Sequence, residues 1–406
     1  MIKKTRLPVV LLIFSIFLTA FAGFSQTASA EVNLRYVAEY YGIEFADEIT
    51  VRAFEEALGI EDGENGEELI SYSRAAVMTV VAADMEELAL TYSPEKINAV
   101  FKALDFEPDT DDHSVNYLAA AIDLGLADPK KIISNEKLAP ADAANLVVAA
   151  RSVTGGARNY LGRTDDSDIY GKLAFAFKNH LMPSNEELIQ LGNKAVMEKI
   201  TTGYNVRDNR FKSNFESELS ICYGHSNLKH ALQLVGLLRS EGISALVNIE
   251  PKVSAYEYLL DWGPVPDPFP TYFVLEEGED FYIAYAFEYD LLFEFANKED
   301  RDRFDEIVVA YAKKNTGEEG KALIAGAWWQ PFYFSVLQLG DNYAKVSNNV
   351  VDFGIYSLHT SSLDENSEKI QTWLAAEIRN NRDFSLKVED QYVNMAFYRY
   401  LNGESE

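Results

Sequence analysis

The stretch that most constrains this chain runs from Ile221 to Ile243. Cys222-Tyr223-Gly224-His225-Ser226-Asn227 reads as a glycine-containing loop. Leu228 to Leu238 then reads as a nearly all-apolar helix, which Gly242 stops before a strand, Ala245-Leu246-Val247-Asn248-Ile249. A helix with so little polar surface must lie at the centre of a domain core. Cys222 is the only cysteine, so no intramolecular disulfide can brace that core, and packing has to hold the 406 residues together. With 48% hydrophobic and 13% aromatic residues, the chain has material for two or three such cores.

The beginning of the chain says where those cores must be stable. Met1 to Arg6 carries three cations, Leu7 to Gly23 carries no charge, and Ala28-Ser29-Ala30 follows. These are the basic region, apolar core and small-residue cleavage site of a secretory signal, so the signal spans residues 1–30 and the mature chain is expected to start at Glu31. The expected location is outside a bacterial cytoplasm, secreted or associated with the cell wall. No later apolar run approaches the roughly 20 residues a membrane helix needs, so no membrane segment is expected after cleavage. Cleavage removes Lys3, Lys4 and Arg6 but no acid, which takes the net charge from −28 to −31. A polyanion of this size repels nucleic acid and anionic lipid.

Residues 31–156 read as helical, with alanine-rich periodic segments separated by acidic loops such as Glu61-Asp62-Gly63-Glu64-Asn65-Gly66 and Asp109-Thr110-Asp111-Asp112. A weak repeat runs through them. Ala53 to Ile60, a loop, and Ile70 to Ala76 align with Ala119 to Leu126, a loop, and Leu138 to Ala144. Each unit is a helix, a glycine stop, a loop and a second helix. The pattern resembles the S-layer homology repeats that attach exported bacterial proteins to cell-wall polysaccharide. That family usually has Thr-Arg-Ala-Glu at the second helix, where this chain has Ser71-Tyr72-Ser73-Arg74 and Ala139-Pro140-Ala141-Asp142. Both copies lack the family's arginine at its usual place, and Ile49-Thr50-Val51-Arg52-Ala53 is the nearest approximation. The resemblance implies cell-wall polymer as a partner, or an envelope protein.

Beyond Gly155-Gly156 the texture becomes mixed. Pro183-Ser184-Asn185-Glu186-Glu187 reads as a capping box opening a helix, and Tyr272 to Leu275 and Phe281 to Tyr285 as two strands about an acidic turn. The loop, buried helix, Leu237-Leu238-Arg239, Gly242-Ile243 and following strand resemble the transglutaminase-like cysteine-peptidase superfamily. The resemblance covers about residues 184–290. The implied fold class is α+β: an N-terminal helical repeat module, a transglutaminase-like, papain-like domain over 157–310, and a helical, aromatic-rich C-terminal extension over 311–406.

In that superfamily the helix start presents a thiolate, and a histidine and an aspartate on following strands complete the relay. Counting back from Leu237-Leu238-Arg239 puts the nucleophile position on Asn227, the base on Thr271 or Tyr272, and the aspartate near Ala286, with Glu288 and Asp290 close by. The triad is therefore expected to be degenerate and the domain to bind or scaffold. The alternative is an active thiol peptidase or acyl transferase using Cys222, activated by His225 or His230, or by His359 with Asp364. The spacing of His225 and His230 suits a metal poorly, and no cofactor is implied. Trp328-Trp329, Phe332, Tyr333 and Phe334, with Trp373 and Tyr392 to Tyr400, form aromatic clusters that read mainly as core.

Overall fold

A computed structural model describes residues 32–60, 66–107, 114–311 and 332–404; of 309–311 only the backbone is described. The signal segment with Glu31, residues 61–65 and 108–113 of the two acidic loops, and Trp328-Trp329 lie outside the described residues. The chain divides after Arg158 into two compact units. Among the described residues no helix is long and apolar enough to cross a membrane.

The first unit is helical: α1 (32–41), α2 (Val51–Leu58), α3 (Tyr72–Ala82), α4 (Glu86–Leu90), α5 (Pro94–Lys102), α6 (Val115–Asp123), α7 (Pro129–Ser134) and α8 (Pro140–Val153). Thr50 and Ser71 cap α2 and α3 through their hydroxyls, each accepting from the backbone three residues on. Such caps contribute about 1 kcal/mol apiece. Gly59 and Gly125 adopt φ of 77° and 67°, the left-handed stops that the repeat pattern requires after its first helices. The segments before the second helices meet: Ile70 N–H donates to Ile49 O at 3.0 Å and Leu138 N–H to Ile70 O at 3.0 Å. Ala75, Ala76, Ala119, Ala120, Ala121, Ala143 and Ala144 are fully buried, so small side chains let these helices pack closely.

The second unit is built on β1 (Gly162–Arg163), β2 (Gly203–Asp208), β3 (Ser220–His225), β4 (Ala245–Tyr258), β5 (Tyr272–Gly278), β6 (Phe281–Phe295), β7 (Phe332–Ser335), β8 (Tyr343–Phe353), β9 (Tyr356–Ser362) and β10 (Phe384–Asn394). Eight of them close into an antiparallel barrel in the order β4-β2-β9-β8-β10-β7-β3-β6, with β6 pairing back onto β4, and β1 and β5 appended. Closure rests on two long strands, β4 with 14 residues and β6 with 15. Leu246 and Val247 of β4 bond β1, while its Lys252 to Tyr256 bond β2. On β6, Phe281 to Ala286 bond β5 and Tyr289 to Glu294 bond β3. Each long strand thus changes partner along its length, which lets the sheet curl round on itself.

Helices cover the barrel's outer face. α9 (Ile169–Asn179), α11 (Leu228–Ser240) and α12 (Lys298–Tyr311) share a core with Ile221, Val247 and Leu291. α10 (Glu186–Met197) and α13 (Asp364–Ile378) cover Val206, Val253 and Ile283. α14 (Met395–Leu401) is the exception: Tyr333 of β7 belongs to the outer core, so its neighbour Phe334 faces inward, and α14 packs Phe397, Tyr398 and Leu401 against this inner face at Phe334, Val346 and Val393.

These pairings overturn the papain-like α+β expectation. The local order of buried helix, strand and hairpin is present, but its strands belong to a closed barrel. The region expected to be a helical C-terminal extension supplies four of the barrel's strands, β7 to β10. The reason is non-local: β7 pairs with both β3 and β10, and β9 with β2, joining segments far apart in sequence. One smaller correction concerns α10. Its cap is Asn185, whose Oδ1 accepts from Leu188 N–H at 3.0 Å, rather than Ser184.

Candidate functional site in the barrel interior

Strand side chains alternate between the two faces of a sheet, so residues buried under the helices identify those that point inward. Tyr204 and Val206 of β2, Ile221 and Tyr223 of β3, Ile249 and Val253 of β4, Tyr289 and Leu291 of β6, and Leu358 of β9 all belong to the outer cores. Their neighbours therefore face the interior: Arg207, Cys222 with Gly224, Glu250 with Lys252 and Ser254, Glu288 with Asp290, and His359. A barrel of eight strands is just wide enough for side chains to fill it or for one small ligand.

Beside the apolar patch of Phe334, Val346 and Val393 that α14 covers, the interior is ionic. Asp290, fully buried, takes Lys252 Nζ on Oδ1 at 2.6 Å and stands 2.6 Å from Arg207 Nη2 through Oδ2, an ion pair without the angle of a hydrogen bond. Arg207 Nη1 also lies 3.9 Å from Glu250 Oε2, while Glu250 Oε1 accepts from Ser213 N–H at 2.6 Å and Ser213 Oγ at 2.7 Å. Ser254 Oγ donates to Glu288 Oε2 at 2.6 Å. Burial alone would push the Asp290 carboxyl up, but Arg207 and Lys252 outweigh it and hold the carboxyl below its ordinary value. For Glu250 burial wins over Arg207 and Ser213, and the carboxyl is raised. Gly224 makes room for the pair, since a Cβ there would stand 3.2 Å from Asp290 Oδ1 and 3.3 Å from Lys252 Nζ.

Cys222 is buried among these charges. Burial, and then Asp290, push its thiol well above the ordinary value, while Arg207 and Lys252 pull the other way without prevailing. A raised pKa and burial both disfavour the thiolate, the form that reacts. Of the candidate bases, His225 and His230 lie outside this interior. His225 is an odd number of residues along β3, so it emerges on the opposite face from Cys222. Its Nδ1 accepts from the backbone N–H groups of Ser226 and Asn227, both at 2.9 Å, and its Nε2 bonds His230 Nδ1. Burial and the nearby His230 bring the His225 imidazole down to about 4.

His359 does face the interior, with both nitrogens engaged: Asn348 Nδ2 donates to Nδ1 at 3.0 Å, and Nε2–H donates to Ser357 Oγ at 2.9 Å. Ser357 Oγ passes its own proton to Asn209 Oδ1 at 3.0 Å, a sequence of bonds that fits a neutral imidazole. Burial, with the cations Arg207, Lys387, Lys212 and Lys252, keeps His359 well below its ordinary value. Asp364 does not orient it. That carboxylate accepts from Ser347 Oγ at 2.7 Å and lies 3.6 Å from Lys345 Nζ at the start of α13.

The positions aligned with the relay are also dispersed. Asn227 caps α11, with Oδ1 accepting from Lys229 N–H at 2.9 Å and its carbonyl accepting from Tyr289 Oη at 2.6 Å. Thr271 gives its carbonyl to Phe287 N–H at 2.9 Å. Tyr272 and Ala286 pair with each other across β5 and β6. Among the described residues no group of three acidic, histidine or cysteine side chains could hold a metal ion.

Arg207, Glu250, Lys252 and Asn348 were not among the residues expected to form a site. The signal was present in Ile249-Glu250-Pro251-Lys252-Val253-Ser254-Ala255, where polar and apolar residues alternate with period two on one strand. Two further features mark the interior. Arg207 and Lys252 keep 17% and 13% of their side-chain surface accessible. Asn348 is 2% exposed, yet its Oδ1 has no protein partner. Comparison with models of known protein families, with curated proteins and with solved structures finds no match to this chain.

Proposed function

We propose that the chain is an exported binding protein of the bacterial cell envelope, attached through its helical first unit and receiving a small hydrogen-bonding ligand in its barrel. The observation that carries the reading is the buried polar cluster of the barrel interior, where Arg207 and Lys252 keep part of their side-chain surface accessible and Asn348 Oδ1 has no hydrogen-bond partner. A buried acceptor without a partner costs about 1–3 kcal/mol, which a polar guest recovers by donating to it. An apolar guest would leave it unsatisfied.

Thermal unfolding of the mature protein tests the barrel. Neutral mono- and disaccharides and other small polar solutes should include compounds that raise the midpoint, as a native-state ligand must. Fatty acids should not raise it, and Asn348→Leu should abolish the effect. A midpoint raised by fatty acids and unmoved by every polar solute would sink the proposal. Envelope attachment is tested separately. The mature chain should start at Glu31 by N-terminal sequencing and sediment with purified cell-wall polymer, no less at high salt, because the repulsion that screening relieves opposes binding. Full-length chain in the membrane pellet would contradict the export reading.

A further inference from the structure

The connection between β4 and β5 carries an unusual surface. Over residues 259–269 five large apolar side chains are exposed: Leu259 at 43%, Leu260 at 49%, Trp262 at 51%, Val265 at 39% and Phe269 at 61%. The loop is braced. Tyr258 Oη donates to Pro264 O at 3.1 Å, Trp262 packs edge-on against Tyr258 at 5.6 Å, and Phe269 and Tyr272 exchange backbone bonds at 2.7 and 3.2 Å. Pro264, Pro266, Pro268 and Pro270 stiffen the segment further and remove the N–H donors with which it could extend the sheet. A stiffened loop presenting a tryptophan and a phenylalanine loses little entropy on docking.

Charge selects the partner. From Val253 to Asp280 there are seven acidic residues and no lysine, arginine or histidine. Asp261, Asp267, Glu276, Glu279 and Asp280 are exposed, while Glu257 is paired with Lys199 at 2.5 Å. Carboxylates around the loop disfavour anionic lipid and a second copy of this acidic chain. The aliphatic Leu259, Leu260 and Val265 gain only by burial against another apolar surface, which a sugar ring does not supply. We propose that this loop is a docking surface for a cationic polypeptide with an apolar face, its aromatic anchors Trp262 and Phe269 and its rim the surrounding carboxylates.

The test measures fluorescence anisotropy of a labelled amphipathic helical peptide of leucine and lysine against the mature protein. Binding should weaken at least about tenfold in Trp262→Ser/Phe269→Ser, the scale expected for loss of anchor residues. Asp261→Asn/Asp267→Asn, which leaves the apolar side chains in place, should weaken binding and flatten its salt dependence. Circular dichroism checks that each variant is folded. The proposal is overturned if the parent does not bind the peptide, or if both folded variants bind it as the parent does, since attraction is then only diffuse. It is equally overturned if binding of a neutral oligosaccharide or of phosphatidylglycerol vesicles, rather than of the peptide, depends on Trp262 and Phe269.

Discussion

Replacing Asp290 by Asn keeps the volume of the side chain and removes its charge from a fully buried position between Arg207 and Lys252. Both cations lie 2.6 Å from its oxygens, and Glu250, raised by burial and 3.9 Å from Arg207, is poorly placed to substitute. Breaking a buried pair by removing one partner costs about 3–5 kcal/mol, because the remaining charge stays uncompensated. For a unit of this size that corresponds to a fall of roughly 6–20 °C in midpoint. The sign with pH follows from the depressed Asp290 carboxyl. Its stabilisation is present above the unfolded carboxyl value of about 3.9 and is lost as pH falls through the lower, folded value. Urea unfolding of parent and Asp290→Asn across this range is the assay, with the gap wide at neutral pH and closing in acid. Replacing all three residues together, Asp290→Leu with Arg207→Met and Lys252→Met, should recover much of the loss, since apolar substitutes avoid desolvating charge. A single variant within about 1 kcal/mol of the parent at neutral pH would refute the reasoning, because that is the scale of an ordinary point change.

Three further expectations follow from the same geometry. Cys222 should react slowly with iodoacetamide at neutral pH, and Cys222→Ser should change stability by no more than ~1 kcal/mol; rapid alkylation would restore the thiol-enzyme alternative. In Asp290→Asn the two cations next to Cys222 lose their counter-charge, so the ultraviolet thiolate band of this only cysteine should appear at lower pH than in the parent. His225, brought down to about 4 against an unfolded value of about 6.5, binds its proton more readily in the unfolded chain. Its contribution to stability is therefore present above the unfolded value and lost as pH falls toward the folded one, and proton-resonance titration of the imidazole should show no midpoint near neutrality.

Local physics was legible in the residues themselves. Gly59, Gly125 and Gly242 all adopt positive φ where a helix stop was expected, because only a residue without Cβ takes that conformation at no steric cost. The apolar segment after Asn227 is helix α11, with Ala231, Leu234, Val235 and Leu238 fully buried, but its Lys229, Gln233, Arg239 and Ser240 are exposed, so it covers the barrel from outside rather than lying at the centre of a core. The hairpin of β5 and β6 follows from its two apolar strands about Gly278. What tertiary structure alone decided was the closure of the barrel, and with it the site. Arg207, Cys222, Lys252, Asp290 and His359 occupy five strands, and no local spacing relates them. The interior parity of each strand is visible in its alternation, but which strands share an interior depends on pairings between distant segments such as β2 with β9 and β3 with β7. Those pairings are selected by the joint burial of every outer face under helices from elsewhere in the chain, a collective quantity that neighbouring residues do not encode.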